Sequence, residues 1–186
     1  MLKELSLHIL DIAENSVQAK AKKVIIKVEE NLRNDRLNIQ IIDNGKGMSP
    51  TTLAQATNPF YTSRTTRKVG LGIPFLKEAA EACNGSLKIE SKEKIGTKIE
   101  VEFQLSHIDR MPLGDLEDTF LNLVIGFPEV HWEFHFKIDN NEFVFDDEPI
   151  KKILGDLPLS DPSVLAFLRK TIFSGIAEVR SNMKNN

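Results

Sequence analysis

The chain has 186 residues, 41% of them hydrophobic, and a formal net charge of −3. That composition supports one substantial core with a smaller appendage, and it offers neither an apolar run long enough for a membrane span nor an export signal at its start. One cysteine, Cys83, excludes an internal disulfide and a multi-cysteine metal site, and the charge balance excludes a strongly basic nucleic-acid binder, so a cytoplasmic protein with no nucleic acid and no membrane partner is expected.

Residues 2–21 repeat apolar side chains at helical spacing: Leu2, Leu5, Ile9 and Ile12, and again Leu7, Leu10, Ala13 and Val17. Both flanks of this helix are expected to be buried. Asp11 and Asn15 stand four apart on one face, where a carboxylate and a carboxamide can hold a hard cation through oxygen, while Glu14, Gln18 and Lys20 fit a solvated edge. His8, a turn earlier, is assigned to the same polar edge. Two strands follow at 24–28 and 37–42, joined by a polar turn into a hairpin.

The second strand ends at Asp43-Asn44-Gly45-Lys46-Gly47-Met48. Strand parity sets Asp43 on the face of Leu37, Ile39 and Ile41, so a carboxylate points inward, where it needs donors. Gly45 and Gly47 leave the backbone open to a flat ligand. Ser49-Pro50 then begins a short helix through Ala56. Residues 58–70 lose all periodicity and are rich in hydroxyls and cations, as a mobile cover for an anion would be. At Gly70-Leu71-Gly72 the chain enters a helix to about Cys83, stopped by Asn84-Gly85; such an entrance presents unpaired N–H groups that favour phosphate. Strands at 87–91 and 97–105 complete this part. Ile99, Val101 and Phe103 alternate with Lys98, Glu100 and Glu102, so helices cover one sheet face in a two-layer α/β sandwich. Thr97 shares the inward parity and can meet Asp43 in one cavity.

Asn15, Asp43-x-Gly45-x-Gly47, Gly70-x-Gly72 and Gly96-Thr97, in this order, resemble the ATP-binding domain shared by gyrase, heat-shock chaperones, sensor histidine kinases and mismatch-repair ATPases. The resemblance covers about residues 5–105 and implies the Bergerat fold. It also implies ATP and Mg²⁺ as cofactors. Asp43 would accept the adenine amine, Gly45, Gly47 and Met48 would line the base, and Thr97 would support the same water network. Asn15 would be a Mg²⁺ ligand. Gly70, Leu71 and Gly72 would offer N–H groups to the phosphates, with Arg64, Arg67 and Lys68 on a lid above them.

Two departures shape the functional expectation. Hydrolysing relatives carry a general-base Glu four residues before the Asn; here that catalytic position is Asp11, one methylene shorter. A complete sensor kinase is not expected either, because only seven residues precede His8. The expected function is a regulatory ATP-binding protein, related to stand-alone anti-sigma-factor kinases, that acts on an unidentified regulatory protein partner as a kinase or slow ATPase. The rival is a non-catalytic nucleotide-controlled interaction switch.

Charge divides the chain at 106: residues 1–106 carry 16 Lys and Arg against 13 Asp and Glu, and residues 107–186 carry 8 against 14. Two units are therefore expected, the ATP-binding domain at 1–106 and a small acidic α+β module at 107–186, with residues 106–112 as a linker. In the module, Leu113 to Phe127 read as a helix and Val130 to Ile138 as an alternating strand that turns at Asp139-Asn140-Asn141 into Glu142–Phe145. Asp161-Pro162 starts a last helix to about Val179. His131 and His135 lie about 13 Å apart along the strand, too far for one metal. The module is expected to pack on the first domain, sense a partner or mediate a homodimer.

Overall fold

The structure is a computed structural model and describes residues 3–56, 72–155 and 157–182. Its elements in chain order are α1 (Leu5–Gln18), β1 (Lys23–Asn31), β2 (Arg36–Asp43), α2 (Pro50–Ala56), α3 (Gly72–Ala82), β3 (Ser86–Lys92), β4 (Gly96–Gln104), α4 (Leu116–Gly126), β5 (His131–Ile138), β6 (Asn141–Asp146), α5 (Asp147–Leu154) and α6 (Pro162–Asn182).

All six strands form one sheet in the order β3-β4-β2-β1-β5-β6. Neighbours are antiparallel except β1 and β5, which run parallel with Val24 beside Trp132 and Ile26 beside Phe134. The two-residue alternation read from the sequence sets the layers. Val24, Ile26, Val28, Leu37, Ile39, Ile41, Ile99, Val101, Phe103, Trp132, Phe134 and Phe136 are all buried, and they share one core with apolar residues of α1, α3, α4 and α6. This is the expected two-layer sandwich with helices against one face. The other face is a lattice of charge: Lys23 pairs with Glu133 at 2.7 Å, Lys137 with Glu29 at 2.8 Å and Lys98 with Glu100 at 3.1 Å. Hydrogen bonds from Lys23 and His135 hold the Glu133 carboxyl down at about 2.

Residues 107–186 add β5 and β6 to the sheet of residues 1–106 rather than building a second one. The segment between β4 and α4 is fastened as well. Leu5 and Ser6 N–H donate to the Pro112 and Leu113 carbonyls at 2.9 and 2.8 Å, which satisfies two orphan donors of the first turn of α1. Helix α1 is shorter than residues 2–21. It stops where Lys20 takes a left-handed φ of 63°, and its Leu7 is 39% exposed.

Under β5 and β6 the core is aromatic. The Phe120 and Phe134 rings stack at 4.2 Å between centroids, flanked by Trp132 at 6.1 Å and Phe145 at 5.7 Å from Phe134. Helix α5 was not anticipated. Asp146 caps it by accepting from Glu148 N–H at 2.9 Å, and the signal was an Asp before an acidic first turn with Ile150, Ile153 and Leu154 at helical spacing. Asp147 is buried, accepts from Trp132 N–H at 2.9 Å and meets Lys151 Nζ at 2.6 Å. Burial pushes its carboxyl above the ordinary range, against those two contacts. Among the described residues no helix is long and apolar enough to cross a membrane.

Candidate functional site

Asp43 ends β2 on the inward parity and is half-buried. Its Oδ1 accepts from Gly45 N–H at 2.8 Å, and its Oδ2 accepts from the Ser16 hydroxyl at 2.9 Å. Each carboxylate oxygen has two lone pairs, so both keep acceptor capacity for a ligand amine. Ser16 was missed by sequence reasoning, although the signal was present: it continues the apolar stripe Leu5, Ile9, Ile12 of α1, and a buried hydroxyl on such a stripe requires a partner.

The loop after Asp43 is clamped on three sides. Asn44 Oδ1 accepts from the Lys22 and Lys23 N–H groups at 2.8 and 2.9 Å. Lys46 N–H donates to the Ala19 carbonyl at 2.8 Å, and its own carbonyl accepts from Lys94 N–H at 2.7 Å. Gly47 has φ +64°, and a Cβ there would lie 2.0 Å from the Lys92 carbonyl oxygen. The β3–β4 turn therefore demands this glycine already, before any ligand approaches.

Thr97 stands opposite Asp43 in the β2–β4 register. Its hydroxyl meets Ser91 Oγ at 2.8 Å, and Ser91 Oγ also accepts from Met48 N–H at 2.9 Å and donates to the Gly96 carbonyl at 3.0 Å. Ser91 has a single proton and spends it on Gly96, so Thr97 is the donor between the two. This hydroxyl pair ties Met48 and Thr97 to one side of Asp43. Ser91 was the second residue missed; its inward parity with Ile89 was the signal.

On the other side, Asp11 and Asn15 are both half-buried on one face of α1. Asp11 lies directly against the start of α3: a Cβ on Gly72 would come within 2.1 Å of Asp11 Oδ2. The glycine lets α3 approach closely enough that the shorter carboxylate reaches its positive end. The structure thus gathers Asp11, Asn15, Asp43, Gly45, Gly47, Met48, Gly72 and Thr97 around α1, the Asp43 loop and the first turn of α3. Arg64, Gly70 and Leu71, with Arg67, Lys68 and the whole proposed lid at 58–70, lie outside the described residues.

One assignment is corrected. His8 is not on a solvated edge: it is 3% exposed, among Leu5, Ile9, Ile39, Leu76 and Ile99, and neither ring nitrogen has a hydrogen-bond partner among the described residues. The stripe Leu5, Ile9, Ile12 is broad enough to carry position 8 under α3. Burial lowers the imidazole pKa from its ordinary value, and the nearby Asp11 carboxylate opposes this in part.

The sandwich, with a carboxylate at the end of β2 and a glycine at the start of α3, defines an ATP-binding fold of the Bergerat class. Two solved structures share the fold over 94% of this chain: the N-terminal domain of a DNA repair protein (TM-score 0.54, 12% identity, 57% of that chain) and the MutL ATPase domain of Aquifex aeolicus complexed with ADP (TM-score 0.51, 15% identity, 70% of that chain). The chain belongs to the family of histidine kinase-, DNA gyrase B-, and HSP90-like ATPases, whose profile matches residues 2–107. A putative sensor histidine kinase NtrY-like of Rickettsia bellii is 29% identical over 107 residues, 58% of this chain and 17% of that protein. The sensor protein kinase FleS of Pseudomonas aeruginosa is 41% identical over 58 residues, 31% of this chain and 14% of that protein. The chain therefore spans less than a fifth of the length of these relatives.

Proposed function

We propose that this protein binds ATP with Mg²⁺ between α1, the Asp43 loop and α3, and regulates a partner protein by passing it the γ-phosphoryl group or by slow hydrolysis. The observation that carries the reading is the half-buried Asp43 carboxylate, whose oxygens keep acceptor capacity beyond the Gly45 N–H and the Ser16 hydroxyl. Asp43 supplies the acceptor for an adenine amine. The donor set suits a hard cation, since the Asn15 carboxamide one turn from Asp11 offers oxygen; when bound, Mg²⁺ would neutralise phosphate charge there.

In transfer, the partner's hydroxyl or imidazole attacks the γ-phosphorus, the bond to the bridging oxygen of ADP breaks, and the acceptor's proton passes to Asp11 or solvent. In hydrolysis, water takes the acceptor's place and Asp11 must orient it. An Asp held by α3 has little freedom to do so, and a misplacement of about 1 Å costs on the order of 100-fold. Intrinsic turnover is therefore expected to be slow, while transfer, which rests mainly on positioning and charge neutralisation, is less affected.

The test follows phosphate release and label transfer from γ-labelled ATP with the full chain, alone and with proteins that co-purify with it. Asp11→Asn should remove residual hydrolysis and leave ATP binding largely intact, whereas Asn15→Ala should impair both. Brisk turnover by the isolated chain would overturn the slow-hydrolysis argument. ATP-dependent partner binding without transfer would favour the switch.

A further inference from the structure

On the charged face of the sheet, away from Asp43, strands β5 and β6 bring two carboxylates and an imidazole together. Glu133 and Asp146 stand directly opposite each other in the register. Like charges in that position repel, and each is answered by a cation or proton donor: Lys23 Nζ lies 2.7 Å from Glu133 Oε2, and His131 Nε2 lies 2.8 Å from Asp146 Oδ1. Candidate ligand atoms of His131, Glu133 and Asp146 all fall within 4.8 Å of one another. Among the described residues this is the one group of three or more metal-ligating side chains so disposed.

Two of the three groups are also held from behind. Asp146 is fixed by the Glu148 N–H at 2.9 Å. Glu133 Oε1 is held by His135 Nε2 at 2.7 Å, and His135 Nδ1 is held in turn by Glu142 at 3.1 Å. Such outer contacts orient ligands and limit the reorganisation that binding requires. His131 and His135 do not converge, as their separation along the strand predicts; the strand pairing supplies Asp146 instead.

We propose that His131, Glu133 and Asp146 form a binding site for a borderline transition-metal cation such as Zn²⁺, with water as the fourth ligand. One imidazole with two carboxylates suits zinc better than Mg²⁺ or Ca²⁺, which take oxygen. The ion takes the place of the His131–Asp146 hydrogen bond: the neutral imidazole ligates through Nε2 with its one proton on Nδ1, and the Lys23 ammonium leaves Glu133 for solvent. The bound ion cross-links β5, β6 and the N-cap of α5.

The experiment uses the full chain in a non-chelating buffer, titrated with Zn²⁺ by calorimetry and with Co²⁺ by visible absorption, with thermal unfolding measured in parallel. One equivalent should bind, raise the unfolding temperature and give the absorption of tetrahedral cobalt. His131→Gln and Asp146→Asn, which keep side-chain shape and the α5 cap, should each weaken binding by about tenfold or more, and His135→Gln should leave the stoichiometry at one. Lys23→Met removes the competing ammonium and should tighten binding. No binding by the wild-type chain, binding unchanged by His131→Gln and Asp146→Asn, or weaker binding by Lys23→Met would each overturn the site.

Discussion

The two halves of the inner sheet face differ in what they bury. Under α4 and α6, Trp132, Phe134, Phe136 and Phe145 fill the interior with rings and aliphatic carbon, and the polar groups buried with them are paired: the indole N–H of Trp132 donates to the Phe127 carbonyl at 3.1 Å, and Asp147 is met by Trp132 N–H and Lys151. Under α1 and α3 the same face is lined by Ile, Leu and Val but also takes in His8, Ser16 and the half-buried Asp43. A site for a polar ligand must keep groups whose hydrogen-bonding capacity is incompletely used, and that costs stability. The continuous sheet lets the aromatic half offset the cost, because β5 is paired directly to β1.

The largest effect should come from the sealed half. Phe134→Ala removes the ring at the centre of the stack and should lower stability by about 3–5 kcal/mol, a large part of the roughly 5–15 kcal/mol typical of a whole domain. Urea unfolding followed by far-ultraviolet circular dichroism and by Trp132 fluorescence should show one coincident transition at a lower midpoint. Separated transitions would break the comparison, since the halves would then not share stability.

Asp43→Asn acts in the other half and should leave the unfolding midpoint nearly unchanged, because the amide oxygen still accepts from Gly45 or Ser16. ATP binding should weaken by about 1.5–3 kcal/mol, or one to two decades, for the lost charge-assisted hydrogen bond. Unchanged affinity in calorimetry would remove the site assignment.

His8 sharpens the comparison further. His8→Leu replaces an imidazole without partners among the described residues by carbon of similar size, and should stabilise by about 1–2 kcal/mol. The pH dependence carries a definite sign. Burial depresses the folded pKa below the ordinary 6.5, so beneath that value the unfolded chain binds a proton that the folded chain refuses. Stability should be fully present above pH 6.5 and fall on acidification until the folded group also titrates; His8→Leu should flatten this part of the curve. An acid limb unchanged by the substitution would assign the loss elsewhere.

The smallest effect belongs to the open face. Lys137→Ala breaks the exposed pair with Glu29 between β1 and β5 and should cost less than about 1 kcal/mol, less still in high salt.

Much of this architecture was legible in the sequence because periodicity and burial agree. Alternation in Leu37–Ile41, Ile99–Phe103 and Trp132–Phe136 set the inner face, and Asn84-Gly85 ended α3 as expected, with Asn84 left-handed and Gly85 N–H returning to the Ala80 carbonyl. The inward parity of Asp43 opposite Thr97 and the start of α3 at Gly72 were legible as placement. What was not legible was pairing at long range. Nothing local tells that β5 docks parallel to β1, that Ser16 and Ser91 bind the loop, that Asp146 faces His131, or that α3 covers His8. These follow from which surfaces meet, and pattern within one element does not encode that.

The parallel pairing of β1 with β5 also bears on how the chain is made. Lys23 lies beside His131, more than a hundred residues later in synthesis. Until β5 emerges, a nascent chain can complete β1 to β4 but leaves one side of β1 as an unpaired edge, with Val24, Ile26 and Val28 lacking their aromatic neighbours. Such an edge is a template for the wrong strand. Vectorial folding of this protein therefore has a vulnerable interval that closes only when β5 has left the ribosome, and a chain arrested with β4 emerged and β5 still inside should be the most aggregation-prone intermediate.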